Sequence, residues 1–412
     1  MTVVPPNPSR TWLPWLVAVL FLLLLPHLFA ANAAITIMNQ MAITIIFALS
    51  YNMLLGQAGL LSFGHAIYLG FGGFACLHAL NYIQANDLPV PLPLLPLAAG
   101  LFSMGVATVI GSFSTRRAGT VFAMISLGMV ELVASFSIII YTFFRGGGIG
   151  GDRTLGMPFF GVAFLRQIEV YYLIIFWLIL CVALMFAFTR TPLGRMANAV
   201  RDNPERAEFL GYSARWVRFY SFIGAGFFAG VAGGLSAINY EIATAENLTV
   251  EASGTIIMIA FLGGVGHFYG PILGAILFTL LQTVMSLHTD LWQLYVGVLF
   301  LAAVMYFPTG LAGLLEVHAP MVRQGRWRGL IGPYLRVLLP AVLCVLGLCM
   351  MAEMGVHNRK SLTAGQDITV FWTTFDPARP VPWIVAGLCV VVGFWVARRS
   401  TPALRRAWSH VM

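Results

Sequence analysis

The sequence predicts an all-α membrane protein: a polytopic transmembrane helical bundle of about ten spans, with one broken or re-entrant segment at 254–285. Three observations indicate this fold class. First, 59% of the 412 residues are hydrophobic and only 9% are charged, whereas soluble domains carry about 25% charged residues. Second, the mean hydropathy is +0.87. Third, apolar runs of about 20 residues, the length that crosses a bilayer, recur along the chain.

The spans follow one another with short polar loops between them. Predicted spans lie near 13–31, 34–55, 64–80, 91–113, 119–143, 170–188, 217–239, 291–308, 332–353 and 382–397. No convincing small-residue cleavage site follows the first apolar run, so we interpret that run as an uncleaved first span rather than a signal peptide.

Arginines predict the orientation, because loops rich in Lys and Arg stay in the cytoplasm. The loop at 190–218 is the strongest case, with Arg190, Arg195, Arg201, Arg206, Arg215 and Arg218. Counting spans from this loop places both termini in the cytoplasm and the loops at 144–169 and 240–253 outside. The segment 254–285 must then begin and end outside, which predicts two half-length segments meeting at GGVGHFYGP, deep in the membrane. Transporters often place substrate sites at such breaks.

Glycine-rich stretches at 56–70 and 263–274 each surround one histidine and are the candidate translocation path. Their similarity suggests an internal repeat, although small residues four apart also let helices pack closely. Packing is the better explanation for Gly226, Gly230 and Gly234. The candidate path residues are Gly56, Gly59, His65, Glu131, Gly263, Gly264, Gly266, His267, Gly270 and Pro271.

Glu131 joins this set because a carboxylate inside a membrane span is costly and usually functional. It lies in the middle of ISLGMVELVASF. Two interpretations stay open for Glu131, a translocation role and a structural hydrogen bond. Two interpretations also stay open for His65 and His267, which could line the path or pack between helices.

The sequence RDNPERAEFLGYS at 201–213 predicts a short helix outside the membrane. Asn203 suits the N-cap, Glu205 the first turn and Gly211 the C′ position after the helix. Ala207, Phe209 and Leu210 are its apolar contacts. A helix this short is unstable alone, so it must dock, either on the membrane or its own spans or on a partner subunit.

Several classes of function are excluded or disfavoured. Lys360 is the one lysine and no glycine-rich loop precedes it, so the chain carries no ATP-binding P-loop. Its net charge of +8 comes from short loops between apolar runs, which does not predict nucleic-acid binding. The five cysteines show no metal-ligand spacing, and no catalytic motif is present, so neither a metal site nor an enzyme is expected.

Four blocks carry a family resemblance, in order over about residues 30–315. They are NMLLGQAGLLSFGHAIYLGFGGF, RRAGTVFAMISLGMVEL, TPLGRMANAVRDNPERAEFLGYSARWVRFYSFIGAGFFAGVAGGL and LTVEASGTIIMIAFLGGVGHFYGPILGA, followed by YFPTGLAGLL. With these blocks the chain resembles the permease subunits of branched-chain amino-acid ABC importers, specifically the second of the two paired permeases.

The resemblance implies a bacterial inner-membrane subunit that forms a heterodimer with a second permease. Two cytoplasmic ATPase subunits would hydrolyse ATP, so this chain would bind no cofactor of its own. Glu205, Ala207 and Gly211 match the family's degenerate ATPase-coupling motif. A periplasmic binding protein would deliver substrate by way of the external loops, where Asp152, Arg153 and Glu246 are the candidate contacts, unless these loops are simply solvated.

Leucine, isoleucine and valine are the implied substrates, moved inward by alternating access. Permeases for urea and short-chain amides are similar at these motifs and are an alternative. A proton-coupled secondary carrier with Glu131 as its proton site is another. Residues 1–315 match the permease domain, whereas 316–412 form an extension with two further spans that such permeases usually lack.

Overall fold

The apolar runs become long helices in the structure, a computed structural model. It describes residues 8–29, 31–155, 163–307, 309–323, 325, 328–360, 368–370, 373–375 and 379–411. The chain divides into two compact units. The first comprises Met1–Val284 and Val296–Gly313, and the second comprises Met285–Tyr295 and Leu314–Met412.

Helices account for most of the described chain. They are α1 (Pro8–Leu28), α2 (Asn32–Asn52), α3 (Ala66–Ala85), α4 (Leu95–Ser114), α5 (Thr120–Ile139), α6 (Tyr141–Phe144), α7 (Gln167–Arg190), α8 (Pro192–Asp202), α9 (Pro204–Phe209), α10 (Ala214–Tyr240), α11 (Val250–Gly263), α12 (Gly270–Ser286), α13 (Trp292–Tyr306), α14 (Gly310–Arg323), α15 (Arg328–Lys360) and α16 (Pro380–Val411). Two short antiparallel pairs join β1 (Gly148–Gly150) to β2 (Ile242–Thr244) and β3 (Ile368–Val370) to β4 (Thr373–Phe375).

The membrane-spanning pattern confirms the predicted fold class. Eight helices in the described parts are long and apolar enough to cross a bilayer, and the bent pair α13 and α14 would make a ninth. The first predicted span corresponds to the shorter apolar helix α1. The predicted interruption of 254–285 is also present, because α11 ends at Gly263 and α12 begins at Gly270.

The centre of the first unit is a close packing of α3, α4 and α10. Gly226, Gly230 and Gly234 on α10 lie so close to Ala107, Ser103 and Ala99 of α4 that a methyl group on any of them would collide. Glycine at this spacing lets two backbones approach within van der Waals contact. The prediction that these three glycines serve packing is confirmed.

Irregular backbone between α2 and α3 finds hydrogen-bond partners on other helices. The amide of Phe63 donates to Ser126 Oγ of α5 at 2.9 Å, and that of Ala66 donates to Ser253 Oγ of α11 at 3.1 Å. Backbone amides inside a bilayer need such protein partners, because no water competes for them. The α2–α3 connection is therefore held at fixed points by two serines.

In the second unit, α15 and α16 pack side by side. Gly347 of α15 and Gly393 of α16 each lie against the partner helix's backbone. Glu353 of α15 accepts hydrogen bonds from Thr289 Oγ1 and, at 2.8 Å, from Tyr295 Oη. These bonds join the extension to the residues just before and at the start of α13. The domain boundary at 315 stays a prediction.

Candidate functional site

The predicted short helix exists as α9, and its ends have the expected geometry. Asn203 Oδ1 accepts the amide of Arg206 at 3.0 Å, the arrangement of an N-cap. Gly211 has φ +87°, and its amide donates to Glu208 O at 2.9 Å, which closes the helix. Both ends are therefore specified by local sequence.

The apolar residues of α9 divide into a buried and an exposed set. Ala207 is 1% exposed and packs inward, whereas Phe209 is 91% and Leu210 66% exposed. Glu205 is exposed in the first turn. A phenylalanine this exposed at the edge of a short, capped helix has the form of a docking surface.

Three more aromatic residues follow α9 in the sequence, just before and within the first turns of α10. They are all about half exposed: Tyr212, Trp216 and Tyr220. Trp216 stacks on Tyr220 with ring centroids 5.9 Å apart, and the Arg215 guanidinium lies 5.5 Å from the Trp216 ring. Aromatic and arginine side chains are the ones enriched at the centres of protein interfaces.

The two glycine-rich stretches predicted as the translocation path come together in the fold. A Cβ on Gly56 would lie 2.5 Å from the carbonyl oxygen of Val265, which forms part of the second stretch. Gly264 (φ +110°) packs against the Thr309 backbone, and Gly310 (φ +66°) packs against the backbone of Gly264. The breaks after α2, α11 and α13 therefore share one packing site.

The second break lies nearer one end of the bundle than we expected. Phe268 packs on Phe186 with centroids 5.3 Å apart, and the Arg190 guanidinium lies 4.4 Å from the Phe186 ring. The break is thus level with the last turn of α7, at the end of the bundle that carries the loop 190–218, called here the arginine-rich end. The depth of this break in the membrane stays a prediction, because counting spans gives the side on which a segment starts but not its depth.

Path candidates in the second break differ in exposure. Gly263, Gly264, Gly270 and Pro271 are buried, and Gly263 and Gly270 touch through their backbones. Gly266 is exposed, and a Cβ added to it would meet no described atom within 4 Å beyond its chain neighbours. His267 is half-buried, 5.6 Å from the Tyr269 ring.

His65 lies in a fully buried aromatic cluster. Its ring stacks on Phe47 at 5.4 Å and meets the edges of Tyr51 and Tyr68. Its Nε2 is 2.9 Å from Ser50 Oγ. In this conformation the side chain packs α2 against α3 and has no exposed surface, which favours the packing interpretation over the path-lining one.

Glu131 is exposed on α5. Only 28% of the α5 span is buried, compared with 78% of α10. One face of α5 is open from end to end and carries Val121, Met124, Gly128, Glu131 and Ser135. A carboxylate on such a face needs a polar or charged neighbour from outside this chain, because lipid supplies none.

Arg153 is the most highly connected side chain of the predicted external loops. Its guanidinium donates to Ile238 O at 3.2 Å and Asn239 O at 3.0 Å, and to Gln167 Oε1 at 2.9 Å. It also pairs with Glu241 at 3.5 Å, and its side chain is only 11% exposed. The side chain therefore fastens the loop 144–155 to α7 and α10, and any contact with a binding protein would use other atoms of this loop.

The other two external candidates are open to solvent. Asp152 is exposed, and the hydroxyl of Thr154, with help from its amide, holds the pKa of the Asp152 carboxyl below its usual value. Glu246 is exposed in the turn before α11. Both carboxylates are available to a partner. Next to Arg153 a cavity of about 700 Å³ is lined by polar groups that include His27, Arg166 and Gln167.

Sequence reasoning missed two features. Arg201 contacts the first break across 145 residues of sequence, donating from Nη1 to Gly56 O. The buried side chains of Asn39 and Asn239 and the half-buried one of Gln167 form a chain of hydrogen-bonded amides that continues to Arg153. Neither had a local signal, since Arg201 is one of six arginines in its loop. Among the described residues, no three His, Cys, Asp or Glu side chains gather as metal ligands.

Comparison with known proteins gives the family. The sequence model of the branched-chain amino acid transport system permease component matches residues 33–307. The high-affinity branched-chain amino acid transport system permease protein LivM of Escherichia coli (strain K12) is 27% identical over 325 residues, 72% of this chain and 74% of the relative. The probable LivM of Methanocaldococcus jannaschii is 23% identical over 68% of this chain and 93% of its own.

A third relative has a different printed substrate. The guanosine ABC transporter permease protein NupQ of Bacillus subtilis (strain 168) is 26% identical over 238 residues, 54% of this chain and 72% of its own. No solved structure matches the chain significantly. The family model covers well over half of the sequence in the order of the predicted blocks, and the chain belongs to the branched-chain amino acid transport permease components.

Proposed function

We propose that this protein is the permease subunit of an ATP-driven importer and that α9 is the helix by which ATPase subunits move it. One observation carries this proposal: α9 is capped at both ends yet presents Phe209, 91% exposed, and Leu210, 66% exposed, outside the membrane spans. Exposed apolar side chains on a fixed helix fit a groove in a partner protein. The arginines of the same loop favour the cytoplasmic side for that partner.

ATP is hydrolysed by two such partner subunits in this proposal, and this chain acts as a transport subunit rather than an enzyme. Its own sequence lacks the P-loop lysine. It sits in the bacterial inner membrane with both termini in the cytoplasm.

The open face of α5 is where the second permease packs. Glu131 and Ser135 on this face then meet a protein surface instead of lipid tails, and the translocation path runs between the two permeases. The breaks beside Gly56 and Val265 lie at the cytoplasmic end of this path and are the place where it opens and closes.

A periplasmic binding protein docks on the opposite end of the bundle. There the β1–β2 ladder ties the external loops together, and Asp152 and Glu246 are exposed beside it. Branched-chain amino acids are the substrates we propose, from the name of the LivM relatives. The NupQ relative favours nucleosides as the second candidate class.

The test is purification of the tagged protein at native expression level from its own host. We expect two ATPase chains and a second permease to co-purify. Phe209→Ala should lose the ATPases, because it removes the largest exposed apolar group of α9, while the second permease stays bound. Phe113→Ala is the matched control, since Phe113 is also an exposed phenylalanine near the arginine-rich end, on α4. Recovery of the wild-type chain alone, or only as a homo-oligomer, would refute the proposal.

A further inference from the structure

Arg201 forms a bridge between the loop 190–218 and the first break in the membrane spans. It lies at the end of α8, and its Nη1 donates to the carbonyl oxygen of Gly56, which belongs to the turn that follows α2. Its Nη2 also lies 3.0 Å from Asp202 Oδ1. The neighbouring carboxylate holds the guanidinium in place from one side while the Gly56 carbonyl accepts from it on the other.

The aliphatic part of the Arg201 side chain packs closely against Gly59. Gly59 has φ +69°, and a Cβ there would lie 2.8 Å from Arg201 Cγ and 3.4 Å from its Cα. Glycine at position 59 thus permits both the left-handed backbone and the close approach of α8. Arg201 contacts the first break through both its stem and its guanidinium, while 35% of its side chain stays exposed.

From Gly56 the contact continues to the second break, because Val265 O packs against it. In the other direction the route to α9 is short. Asn203, the N-cap of α9, is only two residues after Arg201. A continuous chain of contacts therefore leads from α9, through α8 and Arg201, to both breaks.

The first break has the structure of an element that can change conformation. Met53–Gln57 is a π-helical turn, a form that is rare and frequent at functional sites. Asn52 Oδ1 and Gln57 Oε1 are buried there with no hydrogen-bond partner among the described residues. Buried acceptors of this kind make an arrangement costly, so a conformation that paired them would relieve this cost.

We propose that Arg201 is a positioning residue that transmits the displacement of α9 to the break at Met53–Gln57, so that ATPase movement opens or closes the path at its cytoplasmic end. This inference rests on the proposed function. It adds the specific residue through which the ATPases act on the membrane spans, which neither the coupling motif nor the family match identifies.

Hydrogen–deuterium exchange on the purified complex, with and without ATP, tests the transmission directly. In the wild type, ATP should change exchange in peptides covering both 203–212 and 53–60. In Arg201→Ala the change should remain at 203–212 and disappear at 53–60. Arg201→Lys keeps a donor and a charge, so the ATP-dependent change in exchange at 53–60 should be present again in this variant. Arg201→Met keeps an apolar stem over Gly59 and removes the donor together with its charge, which covers the case that the alanine variant does not fold.

Uptake of radiolabelled leucine into proteoliposomes is the second readout. Arg201→Ala should reduce uptake about tenfold, the usual size of a coupling between two sites, with the ATPases still bound. Arg195→Ala is the matched control, because Arg195 is also an exposed arginine on α8, whereas the contacts with Gly56 and Gly59 are made by Arg201. An ATP-dependent change at 53–60 that persists in Arg201→Ala would overturn the inference. Failure of the wild type to retain ATPases would instead overturn the proposed function.

Discussion

Arg153 is a residue whose role in the fold differs from the one that its position in the sequence predicts. Its position in a glycine-rich external loop predicts an exposed side chain, yet three carbonyl or amide oxygens of α7 and α10 accept hydrogen bonds from its guanidinium. Two of these acceptors, the carbonyls of Ile238 and Asn239, lie in the last turn of α10, where helix carbonyls have no partner within the helix. Arg153 therefore caps the C-terminal end of α10, although it lies 85 residues or more away in sequence.

Replacement of this arginine should cost stability. We expect Arg153→Ala to destabilise the protein by about 2–3 kcal/mol, because charge-assisted hydrogen bonds to buried groups have this value, and to lower the melting temperature in detergent. Arg145→Ala is the control, since Arg145 is exposed in the same loop. Equal melting temperatures for the two variants would show that the Arg153 network is not a stabilising one.

At the scale of an element, α10 is specified by its small residues. Gly72 of α3 and Gly230 of α10 pack backbone against backbone, and Ser103 of α4 closes the same site while donating to Tyr68 O at 2.8 Å. Three helices thus meet with almost no side chains between them, which is how membrane helices gain van der Waals contact without a hydrophobic driving force.

A pair of glycine substitutions separates packing from helix propensity. Gly230→Ala should destabilise by about 1–3 kcal/mol, since the added methyl overpacks the site. Gly105→Ala on α4 has open space around it and should be neutral or stabilising by up to about 1 kcal/mol, because alanine is the better helix former. Thermal unfolding of both variants in the same detergent gives the comparison, and the packing argument fails if Gly230→Ala melts at or above the wild-type temperature.

The open face of α5 allows a prediction about assembly. A photo-crosslinking amino acid at Ser135 should form an adduct with the co-purifying second permease, because Ser135 lies one turn beyond Glu131 on the exposed face. The same probe at Val109, exposed on α4, should give no such adduct. An adduct from Val109 alone would move the subunit interface to α4 and leave Glu131 without a protein partner.

At the scale of the whole molecule, the energy source distinguishes an ABC permease from a proton-coupled carrier. Leucine uptake by the reconstituted complex should require ATP and persist when a protonophore removes the proton gradient. Glu131→Gln should leave this ATP dependence intact, because the carboxylate does not carry the driving proton. Uptake that stops with the protonophore but continues without ATP would support the carrier alternative, with Glu131 as its proton site.

The second unit extends the molecule beyond the region that the family model matches. Glu353 is bonded to Thr289 and Tyr295, both in the family-matched region. These hydrogen bonds hold α15 to the segment 285–295 within the second unit.

The helices and their ends could be predicted from the sequence alone. Hydropathy located the spans, because a bilayer demands about 20 apolar residues at each crossing. Asn203 and Gly211 located both ends of α9, because helix caps are read from neighbouring residues. The interruption of 254–285 followed from its glycines and proline, and the family from the order of four sequence blocks.

The contacts between these elements became known only from the three-dimensional fold. It placed Gly56 against Val265, made Arg201 a contact of the first break and put the second break at the arginine-rich end. It also buried His65 and exposed Glu131, two residues that the sequence could not distinguish. The physical reason is that these contacts join residues far apart in sequence. Hydropathy and capping patterns describe only neighbouring residues, so they do not show which distant segments meet in the fold.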